Sequence, residues 1–248
     1  MIEIKKLYVK YPKLSVIEDI SFSVKARELI SIVGMSGCGK TTLLKTIGGL
    51  LTNGKTIFIT GDVSINGLNP LEAKSKRLFG YSSQNPVLLP WRNVRENIQL
   101  PLEILGAKDF SGVTNIINSL GLSGFEKAMP YELSGGMKQR VNLARAIIHS
   151  PSLLLMDEPF GSLDEITRDS INVFYRDLHN KCKQTAIFVT HSLREALFLS
   201  DRIIILTTRP SKIKYIFPVD LPKERNEETF YSNDYLKQIK ELQNEFFK

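Results

Sequence analysis

The segment Gly34-Met35-Ser36-Gly37-Cys38-Gly39-Lys40-Thr41 constrains this chain more than any other. It satisfies G-x-x-x-x-G-K-[ST] between an apolar run, Leu29-Ile30-Ser31-Ile32-Val33, and a helical stretch from about Lys40 to Leu50. Glycines at these positions let the backbone curl so that successive N–H groups point inward at phosphate oxygens. The N-terminus of the following helix adds its partial positive charge. In such a cradle Lys40 reaches the β- and γ-phosphates, the Thr41 hydroxyl is a Mg²⁺ ligand, and Thr42 is a further contact. Cys38 reads as a small residue tolerated beside glycine rather than a redox group.

The rest of the chain supplies the α/β setting that a strand–loop–helix unit needs. Residues 1–33 show strand alternation, with Ile2, Ile4, Leu7 and Val9 separated by polar residues. Strand character returns over 55–82, with turns at Thr60-Gly61-Asp62 and Ile65-Asn66-Gly67. From about Pro86 to Ser150 the texture is helical, as in Val94, Ile98, Leu102 and Leu105, punctuated by Pro86, Pro90, Pro101 and Pro130. Alternation then resumes: strand 152–156, helix about 163–180, strand 185–189, helix 193–199 and strand 201–207. This predicts a largely parallel sheet covered by helices, with 86–150 as an inserted helical subdomain. In the tail, Tyr235, Ile239, Leu242 and Phe246 share one face of an expected surface helix.

Composition excludes little. Apolar residues make up 42% and charged residues 24%, ordinary for a soluble globular domain of 248 residues. No stretch approaches the ~18 uncharged apolar residues of a membrane span, and no secretory signal is read at Met1-Ile2-Glu3-Ile4-Lys5. Two cysteines make no disulfide framework, which reads as cytosolic. A net charge of +7 suits nucleic acid, an anionic membrane face or a merely solvated surface, and its Lys and Arg are scattered. Charge does not decide function here.

Leu153-Leu154-Leu155-Met156-Asp157-Glu158 is an apolar strand ending in two acids. A buried strand delivers both carboxylates to the C-terminal edge of the sheet, where open α/β sheets bind ligands. Asp157 is placed to hold Mg²⁺. Glu158 is placed to orient and deprotonate an attacking water, a contribution of roughly 10²- to 10⁴-fold.

Leu133-Ser134-Gly135-Gly136-Met137-Lys138-Gln139-Arg140 opens another helical run. A serine and the bare amides of Gly135 and Gly136 make it a second anion-seeking helix start. One triphosphate does not need two such sites in one chain. Here the sequence resembles the ABC transporter ATPases along nearly its whole length. That resemblance implies a single ABC ATPase domain: a P-loop NTPase (RecA-like) core with an antiparallel β subdomain over 1–85 and 151–220, the helical insert 86–150, and a tail helix within 221–248. It implies two copies paired head to tail, with ATP between the loop of one and Ser134 to Gly136 of the other. Tyr11 matches the aromatic that stacks on adenine. Gln84 matches the glutamine that touches Mg²⁺ and the water. Ser162-Leu163-Asp164 matches the D-loop, and His191 the switch histidine at the γ-phosphate. Met137 replaces the usual glutamine of the signature, and Ser192 the frequent acid after the histidine. Ser192-Leu193-Arg194-Glu195 has capping-box spacing, as has Ser162-Leu163-Asp164-Glu165.

Leu88-Leu89-Pro90-Trp91, Met156 to Asp164, and Glu195 to Arg202 leading into Thr208-Arg209-Pro210 look like the nitrate/sulfonate/taurine importer group, which also serves thiamine-precursor pyrimidines. The resemblance implies a peripheral ATPase at the cytoplasmic face of the membrane. Its partner is a permease docked beside Gln84 and, through it, an extracytoplasmic solute-binding protein, with no nucleic acid. Trp91 either packs in the subdomain core or lines the docking groove. The rival readings are another importer class, a soluble ABC ATPase, or a basic nucleic-acid-binding module.

Overall fold

The computed structural model describes residues 2–161 and 164–248. The chain runs through strands Ile2–Tyr11 (β1), Leu14–Val24 (β2) and Leu29–Val33 (β3), then helix Lys40–Ile47 (α1) and strand Phe58–Ile65 (β4). A short helix Pro70–Ser75 (α2) and strand Phe79–Ser82 (β5) precede three helices, Val94–Ile104 (α3), Ser111–Ser119 (α4) and Gly135–Ile147 (α5). Leu153–Asp157 (β6), Glu165–Cys182 (α6), Thr185–Val189 (β7), Leu193–Leu199 (α7), Arg202–Leu206 (β8), Ile213–Pro218 (β9) and Asn233–Phe247 (α8) complete it.

The central sheet has the order β5-β6-β7-β3-β8-β9, parallel except for β9. A second, antiparallel sheet has the order β2-β1-β4. Strands β3, β6 and β7 are buried at every position, as a parallel sheet covered on both faces requires. Strand pleating divides their side chains between two cores. Leu29, Val33, Leu154 and Phe188 join one core with apolar residues of α3 to α8. Ile30, Ile32, Leu155 and Ile187 join the other with α1 and the antiparallel sheet. Each such side chain contributes roughly 1.5–3 kcal/mol by leaving water. Gly80 lets α5 press backbone to backbone on β5, since a Cβ there would lie 2.0 Å from the Ala146 carbonyl oxygen.

Several local expectations change. The 55–82 stretch contains α2, started by a capping box between Asn69 and Glu72 with Pro70 in the first turn. Pro101 lies inside α3, within the helical spacing of Val94, Ile98 and Leu102. The Asn93–Glu96 capping box and the buried Val94 and Ile98 outweigh the one hydrogen bond proline removes. Helix α6 is capped by Asp164, whose side chain accepts from the Thr167 N–H, so its start is two residues later than Ser162 spacing suggests. Ser162 itself and Leu163 lie outside the described residues. Ser192 does cap α7, but the Glu195 carboxylate turns inward instead of completing the box. Trp91 is 70% exposed, which removes the core alternative. The tail helix has its expected face, with Tyr235 and Leu242 buried.

Candidate functional site

Helix α1 starts behind Gly39, whose φ of 113° suits glycine and few other residues. No side chain caps it and no acid occupies its first turn, which leaves the positive end of its dipole to a ligand. Lys40 is 6% exposed, and its Nζ donates to the carbonyls of Gly34 at 2.8 Å and Met35 at 3.2 Å. A pocket of about 290 Å³ opens over this loop. Ser36, Gly37, Gly39, Lys40, Thr41 and Thr42 line it from the loop, and Tyr11, Leu14 and Val16 from the β1–β2 hairpin. Gln84, Glu158 and Arg209 complete the wall.

Strand β6 brings its terminal acid behind the pocket wall, against Thr41, across 116 residues: Thr41 Oγ1 donates to Asp157 Oδ1 at 2.9 Å. Tyr81 donates to Asp157 Oδ2 at 3.4 Å. Burial pushes the Asp157 carboxyl above its ordinary range, against the lowering effect of the Thr41 hydrogen bond. The Tyr81 hydroxyl is raised as well, first by burial and then by Asp157. A hydroxyl and a carboxylate side by side are hard oxygen donors of the kind Mg²⁺ takes. No group of three or more His, Cys, Asp or Glu able to hold a metal exists among the described residues. The Thr41–Asp157 pair offers two such oxygen donors side by side.

Glu158 follows with φ 47°, its N–H still donating to the Val189 carbonyl at 2.9 Å. That left-handed residue ends the strand ladder and places the carboxylate in the pocket wall. Gln84 Nε2 donates to Glu158 Oε2 at 3.2 Å, and His191 Nδ1 lies 3.2 Å from the same oxygen. Both neighbours are themselves positioned. Gln139 Nε2 donates to the Gln84 carbonyl, and Asn142 Nδ2 donates to the Ser83 carbonyl at 2.9 Å, so α5 grips the segment carrying Gln84. On the His191 side, Thr190 Oγ1 donates to the buried Glu195 at 2.5 Å and accepts from the Ser192 N–H at 3.0 Å. Glu195 also lies 3.3 Å from Arg168, one turn into α6. Burial raises the Glu195 carboxyl, with Thr190 and Arg168 opposing.

The structure does not bring every expected residue here. Ser134 and Gly135 are exposed at the start of α5, and neither they nor Gly136 line the pocket. Ser134 accepts from the Met137 N–H at 3.2 Å, and no acid occupies that first turn. Asp164 spends its carboxylate on the α6 cap, whose backbone N–H at Thr167 holds it below the usual range. Cys38 is buried. Sequence reasoning missed Arg209, Tyr81, Gln139, Asn142 and Glu195 as parts of the site. Gln139 and Asn142 carried a signal: two polar residues three apart on the buried face of a helix.

A phosphate loop, a Thr–Asp pair, a carboxylate in contact with a glutamine and a histidine, and a second open helix start define a nucleotide-hydrolysing cassette. Residues 17–161 match the profile described as ABC transporter, and the chain belongs to that family. It is 40% identical over 217 residues to the aliphatic sulfonates import ATP-binding protein SsuB of Bacillus subtilis, covering 88% of this chain and 82% of that one. It is 34% identical over 226 residues to the taurine import ATP-binding protein TauB of Escherichia coli, covering 90% and 86%. Among solved structures it is similar to the ATP-binding cassette MJ0796 in a dimeric, post-hydrolysis state bound to ADP and Pi. That match has a TM-score of 0.77 and 27% identity, and covers 90% of this chain and all of that one.

Proposed function

We propose that this ABC ATPase hydrolyses ATP in the pocket over Gly34 to Thr42, as one of two identical subunits that drive a separate importer permease. The carrying observation is the Glu158 carboxylate, held within 3.2 Å of both Gln84 and His191 beside the phosphate loop. In this reading Lys40 and the loop amides hold the phosphates, and Tyr11 stacks on the base. Glu158 takes the proton of the attacking water, Gln84 orients that water, and His191 contacts the γ-phosphate. Mg²⁺ held by Thr41, Asp157 and Gln84 would offset the charge that develops on the phosphate oxygens. Ser134, Gly135 and Gly136 complete the site of the second copy, with Asp164 at the shared interface.

Names of the relatives favour a small sulfonate such as taurine as the solute, with nitrate or thiamine-precursor pyrimidines as alternatives within the same group. No helix among the described residues is long and apolar enough to cross a membrane, so attachment falls to the permease at the cytoplasmic face. The exposed Trp91 and Val87, downstream of Gln84, support a docking surface there. The insert 86–150 and the core 1–85 with 151–220 are the two parts that move, with 221–248 packed on the core. An extracytoplasmic solute-binding protein acts through the permease.

Glu158→Gln tests the chemistry: turnover falls at least about a hundredfold while ATP affinity stays at the parental value. Parental turnover would remove Glu158 as the base. Cofractionation with membranes and a permease supports the importer; a wholly soluble pool in cells that express the permease favours a non-transport ABC ATPase.

A further inference from the structure

Arg209 occupies the turn between β8 and β9, far in sequence from every motif of the pocket it lines. Its Nη2 lies 3.4 Å from where a Cβ on Gly37 would sit, so the guanidinium rests against the phosphate loop itself. Among the described residues no carboxylate pairs with it. The turn is fastened on two sides by the fully buried Ser211. The Ser211 N–H donates to the Val16 carbonyl at 2.8 Å, and its carbonyl accepts from the Glu18 N–H at 2.9 Å. Its hydroxyl donates to the Cys38 carbonyl, inside the loop. The backbone that carries Arg209 is thereby tied to the cradle and to the β2 wall of the same pocket.

We propose that Arg209 is a second phosphate-binding cation of the nucleotide site, donating to the phosphate chain of bound ATP or ADP alongside Lys40. A planar guanidinium with spare donors suits phosphate oxygens, and an unpaired cation beside amides that already select for anions has one complementary partner. The contact exists with nucleoside triphosphate and diphosphate alike. It therefore acts as uniform binding, and its loss falls on KM rather than on kcat. The proposal rests on the assignment of this pocket to nucleotide.

The test is titration of the full chain with ATP and with ADP for the parent, Arg209→Gln, Arg209→Lys and Lys40→Ala. Arg209→Gln weakens both nucleotides about five- to thirtyfold and raises KM by a similar factor, the range expected for a charge-assisted contact at a partly solvated site. Arg209→Lys keeps the charge and stays within about threefold of the parent. The salt dependence of ADP binding becomes shallower in Arg209→Gln, because one cation fewer meets the phosphates. Affinities of Arg209→Gln within twofold of the parent, with Lys40→Ala collapsed, overturn the role of Arg209 and leave the pocket assignment standing. Parental affinity in Lys40→Ala overturns the pocket assignment and this proposal with it.

Discussion

The two ends of the central sheet hold their charged residues in opposite ways. At the C-terminal ends of the strands, Lys40, Glu158 and Arg209 line one pocket, and Asp157 is hydrogen-bonded to Thr41 in its wall. At the N-terminal ends, Arg176 and Arg225 are buried and donate to protein groups. Arg176 donates to the Leu199 carbonyl at 2.6 Å and pairs with Asp201 at 3.1 Å. Arg225 Nη1 donates to the carbonyls of Leu197, Phe198 and Ser200, the last turn of α7. Burial, then the charge of Arg176, lowers Arg225 to about 9. Arg225 is fastened to carbonyls at the end of α7, whereas Arg209 faces the pocket with no carboxylate partner among the described residues. Changes at one end should move stability without chemistry, and at the other end chemistry with little stability.

The largest expected effect on folding is at Arg225. Arg225→Met strands three buried carbonyls and costs about 3–5 kcal/mol, lowering Tm by roughly 6–20 °C. Turnover well below the transition stays within about twofold. A parental Tm, or a loss of turnover in the folded protein, would break the contrast between the two ends.

His179, also at the buried end, sharpens it through pH. It is 4% exposed, and burial, followed by Arg176, depresses its pKa to about 4. An unfolded histidine titrates near ~6.5. Between those values the unfolded chain binds a proton that the folded chain does not. The stability that depends on a neutral His179 is therefore complete above about 6.5 and falls as pH drops toward about 4, by about 3 kcal/mol in all. In His179→Gln that part of the acid loss disappears, and urea midpoints at neutral and acid pH lie closer together than in the parent. An unchanged gap between the midpoints would show that His179 is not shielded.

The smallest folding effect is at Ser134, on the exposed start of α5. Ser134→Glu removes the cap hydrogen bond and changes stability by no more than about 1 kcal/mol. If the proposed function holds, it nonetheless abolishes the ATP-dependent dimer of the Glu158→Gln variant on a sizing column, because a carboxylate would stand where the proposed phosphate contact of the other copy falls. A dimer that persists with ATP would mean that Ser134 faces no phosphate.

How much of this could be read in advance differs from element to element. The strand ends at Val33 and Asp157, the glycine loop and both helix starts were legible because each is a short-range pattern of period, glycine and cap. The short helix α2 was not, since its six residues carry one buried side chain and no period to detect. Nor was the inward turn of Glu195, because the spacing that suggests a capping box is silent on whether Thr190 and Arg168 compete for the same carboxylate.

By itself the sequence determined the glycine loop, the acidic strand end and the two helix starts behind Gly39 and Ser134, since backbone curvature and caps depend on neighbours within a few residues. Tertiary structure alone decided which groups meet. Thr41 meets Asp157 over 116 residues, Gln84 meets Glu158 over 74, and Arg209 reaches the loop by Gly37 through a turn pinned at Ser211. Such contacts come from strand order and register in a parallel sheet, where neighbours in space are separated by whole helices in the chain.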